Sequence, residues 1–329
     1  MARYGDGMID AVVTRNDADS LEAVIRHDLA RGDAMAGTVV PILRHLLAND
    51  DSSLFGDEII ARVRGMTTDV ASQLLDNLKS EGEGVERFEH DPAELASLGD
   101  TIIANSAFLT HVHGLALEWQ LTERLQARIG LDPVLPPLLQ ALIAARDESI
   151  ATIAMNFLTA QARFCQAQRR MRLPLSELPG DLLHAAIVAM RTIAEASSDS
   201  EAKARAAEQR IRGSFDESRT RLGLVSRLVS GMGGGAIAAL SASHAGVATF
   251  LTALAMGAGQ DRDAVALSTN ESQCIRLALS LRCAGVKPAA IEEQFVLLHP
   301  EATLPEGFGS LGPDRAAAIL SFGNYYPGE

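Results

Sequence analysis

Residues 150–165, IATIAMNFLTAQARFC, decide the fold class. Ile150, Ile153, Ala154, Phe157, Leu158, Phe164 and Cys165 recur at steps of three and four, with Gln161 the one polar member of the series. That period puts them all on one face of a helix, and sixteen residues is longer than an ordinary strand. Outward from this stretch the same period returns. Leu21, Val24, Ile25 and Leu29 follow Asp17 or Asp19 as a cap and precede Gly32 as a stop. Val39, Ile42, Leu43, Leu46 and Leu47 give a second stripe, and Val70, Leu74, Leu75 and Leu78 a third, opened by Thr67 or Thr68. Further stripes lie near 181–195, 236–256, 271–283 and 288–298. Sustained period-two alternation is scarce, and Ala and Leu dominate over β-branched clusters. The chain reads as all-α.

One segment echoes within the sequence. Residues 41–54, PILRHLLANDDSSL, align with residues 137–150, PLLQALIAARDESI, at an offset of 96. Pro41 meets Pro137, Leu46 and Leu47 meet Leu142 and Ile143, Asp51 meets Asp147, and Leu54 meets Ile150. The proline sets or bends a first helix, apolar pairs face a neighbour, and the Asp caps a second helix. This pattern resembles the HEAT-type helical repeats over 33–65 and 132–165, about a fifth of the chain; the matching register near 233–246 carries Gly, Ala and Ser instead. The resemblance implies stacked antiparallel helical hairpins and protein–protein scaffolding, with no catalytic residue.

Composition breaks suggest three stretches: an acidic helical region over 1–90, a main helical region over 91–300, and a Pro/Gly-rich tail over 301–329. Residues 81–91, EGEGVERFEHD, carry no apolar stripe, and 196–200, ASSDS, read as a hinge whose Asp199 or Ser200 caps the next helix. The tail ends FGNYYPGE, with Phe322, Tyr325 and Tyr326 available to dock it.

The 329 residues hold 42 acids against 29 bases, a formal charge of −13. Residues 1–150 carry 25 acids and 12 bases, and the rest are balanced. This balance disfavours nucleic-acid coating, which needs a cationic excess. Residues 228–260 lack any Asp, Glu, Lys or Arg, yet seven glycines and many Ala, Ser and Thr interrupt them. They read as a glycine break followed by a buried helix over 236–256 rather than a membrane span. Three cysteines, Cys165, Cys274 and Cys283, with Asp6 and Asp10 breaking any apolar leader, suggest reduced thiols in the cytoplasm.

Motifs that carry chemistry are sparse. His111, His113 and Glu118 in HVHGLALEW lack the i, i+4 histidine clamp of zincins, and read as one core and one exposed histidine; no metal site is expected. GMGGGA, with Gly231, Gly233 and Ala236, matches a loose dinucleotide fingerprint without its strand or its ribose-binding acid, so no cofactor is expected. Asp181 and His184, three apart, can form an acid-oriented base or a simple helix start. Arg163, Arg169, Arg170 and Arg172 make the densest basic cluster, and arginine forks suit carboxylates and phosphates. The same cluster also complements a helix C-terminus. The expected function is therefore a non-catalytic, cytoplasmic interaction scaffold that binds another protein through a concave helix surface. The arginines either pair within the molecule, with the acidic first half, or form the candidate surface for a partner or anion. The alternative is an all-α small-molecule-binding protein or enzyme with a site near Asp181, His184 and those arginines.

Overall fold

A computed structural model describes residues 6–48, 58–82, 84–194 and 198–322, and no strand occurs among them. Helices follow one another as α1 (Asp6–Ala48), α2 (Glu58–Lys79), α3 (Pro92–Ile103), α4 (Ser106–Ile129), α5 (Pro137–Ile143), α6 (Glu148–Gln168), α7 (Gly180–Ala194) and α8 (Ser198–Ser214). They continue as α9 (Arg221–Gly231), α10 (Ala242–Ala245), α11 (Val247–Ala258), α12 (Arg262–Leu267), α13 (Cys274–Cys283), α14 (Pro288–Leu298) and α15 (Pro313–Phe322). The fold is all-α. No single helix among the described residues is long and apolar enough to cross a membrane.

Local chemistry explains many of the helix ends. Asp91, Asn105, Asp147, Thr220 and Asp261 each accept backbone N–H bonds as N-caps, and Gly130 closes α4 in the left-handed region at φ 67°. The second half of the echo folds as its residues suggest. Pro137 opens α5, and Asp147 caps α6 through the N–H groups of Ser149 and Ile150 at 2.9 and 3.3 Å. The first half departs from it: Pro41 lies inside α1, which gives up one backbone hydrogen bond there, and Asp51 falls outside the described residues.

Contacts group the described residues into two compact units, one within residues 39–252 and one of residues 6–38 with 253–322; α1 and α11 contribute to both. In the larger unit α2 packs on α3, α4, α7 and α8, while α6 packs on α5 and α9. Val63, Met66, Val70, Ala71, Leu74 and Leu75 of α2 are fully buried at the centre of its core. Each large aliphatic side chain so buried contributes about 1.5–3 kcal/mol. In the smaller unit α13 packs on α14 and α15. There Gly32 does not stop α1. Its missing Cβ lets the Ser272 carbonyl come within 2.8 Å of where that atom would stand, and Gln273 Nε2 donates to the Gly32 carbonyl. One turn on, Arg276 grips Asp33 with a bidentate pair at 2.7 Å.

Other sequence expectations are also corrected. Thr67 and Thr68 lie inside α2, which begins nine residues earlier at Glu58. The helix expected over 236–256 is instead a 3-10 segment (Gly233–Leu240), α10 and α11. Gly246 breaks it at φ 75°, with a would-be Cβ only 2.7 Å from Pro136 Cγ. The 3-10 segment bends 119° from α9, and no strand precedes the GMGGGA glycines. Asp199 and Ser200 stand in the first turn of α8, while 195–197 fall outside the described residues. In the C-terminal stretch α15 forms and packs on α13; Tyr325, Tyr326 and the Phe322 side chain fall outside the described residues.

Candidate functional site

Two features of the larger unit concentrate polar chemistry: the turn that follows α6, and a cavity beside the C-terminal end of α2.

The turn carries the arginine cluster. α6 ends at Gln168, so Arg163 stands on the helix while Arg169, Arg170 and Arg172 follow its last residue. All four are exposed. The C-terminal carbonyls of α6 are served by a different arginine: Arg62 of α2, 4% exposed, donates from Nη1 to the Gln168 carbonyl at 2.6 Å. Its guanidinium carbon also lies 5.4 Å from the Trp119 ring centroid. Arg172 pairs with Asp69 of α2 at 3.7 Å. The side chains of Arg163, Arg169 and Arg170 form no hydrogen bond or close ion pair among the described residues, though the Arg163 charge acts on Glu177.

Side chains of α2 hold this turn as a neighbouring strand would. Asp69 accepts from Leu173 N at 3.1 Å, and Gln73 both donates to the Leu173 carbonyl at 2.9 Å and accepts from Leu175 N at 3.0 Å. Burial raises the Asp69 carboxyl above its usual range, with the Leu173 N–H and the Arg172 charge acting against that rise. Met171 takes a left-handed φ of 53°, rare outside glycine. It does so directly over Gly65, where a Cβ would come 2.7 Å from Met171 Cβ.

The cavity, about 380 Å³, is bounded by α2, the 80–91 loop, Leu175 and Ser176, and α7 and α8. Arg210 of α8 closes one side by donating to the carbonyls of Asn77, Ser80 and Gly82 at the end of α2. Asp76 closes another. Its Oδ1 accepts from Phe88 N and from His90 Nε2, both at 2.9 Å. Lys79 lies 3.1 Å from His90 Nδ1 and 2.8 Å from Glu94. An ammonium only donates, so His90 Nδ1 is the acceptor and its proton sits on Nε2, facing Asp76. The Asp76–His90–Lys79–Glu94 chain thus fixes the loop on α2.

The other sequence candidates lie apart from these two features or serve the packing. Asp181 is exposed in the first turn of α7, where the helix dipole favours it. His184 meets Arg212 at 2.7 Å, in a surface network where Glu208 also binds Arg212 and Arg191. Arg212 lowers the Glu208 pKa. His111 and His113 are both buried, against the expectation of one exposed ring. Among the described residues no group of three or more His, Cys, Asp or Glu side chains is arranged to hold a metal.

Glu118 belongs to a buried network that the sequence reading passed over. Arg221 and Glu118, each 1% exposed, pair at 2.6 and 3.2 Å through both guanidinium ends. The Arg221 guanidinium carbon stands 3.6 Å from the Phe164 ring centroid, and its backbone N–H donates to Glu177 at 2.9 Å. Burial pushes Glu177 above the usual glutamate range and Cys165 up to about 11. The signal was present: Glu118 stands in register with buried Leu115 and Thr122, and Arg221 with Leu224, Val225 and Leu228. A charge at a core position implies an opposite charge facing it.

Compared with family models, curated proteins and solved structures, the chain matches none of them.

Proposed function

We propose that this protein is a non-catalytic interaction scaffold that binds an acidic segment of another protein at the turn following α6. The observation that carries this reading is the state of Arg163, Arg169 and Arg170: exposed, with no side-chain hydrogen bond or close ion pair among the described residues, in a chain of net charge −13, although Arg163 lies near enough to Glu177 for its charge to oppose the rise in that carboxyl's pKa. The chain has acids to spare, yet the forks of these three guanidiniums carry no hydrogen bond among the described residues. Helix α6 presents Arg163, and Arg62, Asp69 and Gln73 fix the turn that presents Arg169 and Arg170, so little ordering entropy is lost on binding. Guanidinium forks recognise carboxylates in two-point fashion. The α5–α6 hairpin fits a HEAT-like unit within an irregular stack, an architecture that serves docking. Free Cys165, Cys274 and Cys283 fit a cytoplasmic setting.

The test is capture of partner proteins by the wild type and by an Arg163→Glu, Arg169→Glu, Arg170→Glu variant. Arg172 is left intact because it pairs with Asp69. A partner recovered by the wild type and lost by the folded variant supports the reading; equal recovery by both removes it.

A further inference from the structure

We propose that the cavity beside the end of α2 is a binding site for a small carboxylate with an apolar body. It does not use Arg163, Arg169 or Arg170, although Gln73 and Leu175, which anchor the basic turn, also line it, and it differs in position from a site at Asp181 and His184. Three observations point to that ligand class. The first is size: about 380 Å³ lies within the range of roughly 300–1,000 Å³ typical of small-molecule pockets.

The second is the lining. Leu175, Leu183, Ile211 and Phe215 give it an apolar wall, against which a hydrocarbon chain loses contact with water.

The third is the charge that faces it. Arg87 and Arg210 both line the cavity, where Asp76 is the one acid among the described lining residues; its Oδ1 is already taken by Phe88 N and His90 Nε2, and Asp69 lies near enough to Arg87 to feel its charge. The terminal nitrogens of Arg210 are spent on the carbonyls of Asn77, Ser80 and Gly82, which lock the guanidinium plane in place. Its Nε–H is buried and has no hydrogen-bond partner among the described residues. A buried, unmatched donor on a fixed cation is costly unless an acceptor reaches it. Arg87 is exposed and, although its charge reaches Asp69, makes no hydrogen bond or close ion pair among the described residues, so its fork is available at the mouth. A carboxylate accepts from both cations while its chain lies along the apolar wall. The hydroxyl of Ser176 adds a further donor at the rim.

The experiment is calorimetric titration of the full chain with decanoate, with decanol as the uncharged control and acetate as the control without a chain. The proposal expects saturable one-to-one binding of decanoate, with decanol and acetate each at least tenfold weaker. Arg87→Gln, a surface change that leaves the fold intact by circular dichroism, should weaken decanoate at least fivefold and leave decanol unchanged. Photolabelling with a diazirine-bearing decanoate should mark peptides containing Leu175, Leu183 or Phe215. Absence of saturable decanoate binding, equal binding of decanol, indifference to Arg87→Gln, or labelling confined to other peptides would each overturn it. Failure here leaves the scaffold reading untouched, because none of these variants alters Arg163, Arg169 or Arg170.

Discussion

Replacing Arg221 by Met tests the packing of the larger unit at its most demanding point. Arg221 is among the largest fully buried side chains, and its two nitrogens hold a carboxylate that is itself 1% exposed. Met preserves most of the volume and a favourable sulfur contact with the Phe164 ring, so cavity formation is minor. What it removes is the counter-charge of Glu118. Breaking one side of such a pair costs about 3–5 kcal/mol, because the remaining charge stays desolvated. Glu118→Leu strands the Arg221 guanidinium and should cost a similar amount. The double variant strands neither charge. It should lie within about 2 kcal/mol of the wild type, giving a coupling of about 3 kcal/mol or more. Urea unfolding followed by intrinsic fluorescence reports on this unit, since Trp119 is the only tryptophan and is 3% exposed. With a urea slope of about 2 kcal/mol/M, each single variant moves the midpoint down by about 2 M. Additive single effects, or a loss below about 1 kcal/mol for Arg221→Met, would refute the reasoning.

Three further outcomes follow from particular contacts. Gly65→Ala drives a Cβ into Met171 and should cost about 1–3 kcal/mol; adding Met171→Gly removes both the facing Cβ and the left-handed strain, and should restore part of that loss in the same assay. Burial raises the Glu177 pKa, so the native state binds its proton more tightly than the unfolded chain does. Between the ordinary glutamate pKa and the raised one, wild-type stability relative to Glu177→Gln should therefore fall as pH rises; a difference that grows with pH contradicts this. Cys165, at about 11, should hold only about one thiolate per thousand molecules at pH 8 and react with an aromatic disulfide far more slowly than after unfolding; a native rate matching the unfolded one would contradict its buried placement.

The fold class was legible because apolar periodicity depends on neighbours within one helix. α7, α13 and α14 coincide with stripes read from sequence, and Asp147 caps α6 as its spacing implies. What escaped depends on residues far apart in the chain. Gly32 reads locally as a stop, but its function is to admit the backbone of Ser272, 240 positions away. The break at Gly246 answers to Pro136, more than a hundred residues earlier. The basic cluster was legible as a surface, while the arginine that serves the α6 terminus, Arg62, was hidden within the apolar pattern of α2. The cavity had no local signature at all, because α2, the 80–91 loop, α7 and α8 each supply part of its lining.

The most direct measurement of the scaffold reading is affinity capture from native host lysate, quantified by mass spectrometry, with three baits. These are the wild type, the triple variant Arg163→Glu, Arg169→Glu, Arg170→Glu, and Lys203→Glu as an exposed control on α8. The account predicts a protein held by the wild type and the control, released by added salt, and absent from the folded triple variant. Recovery of that protein by the triple variant at the wild-type level, or no enrichment by any bait, would contradict it.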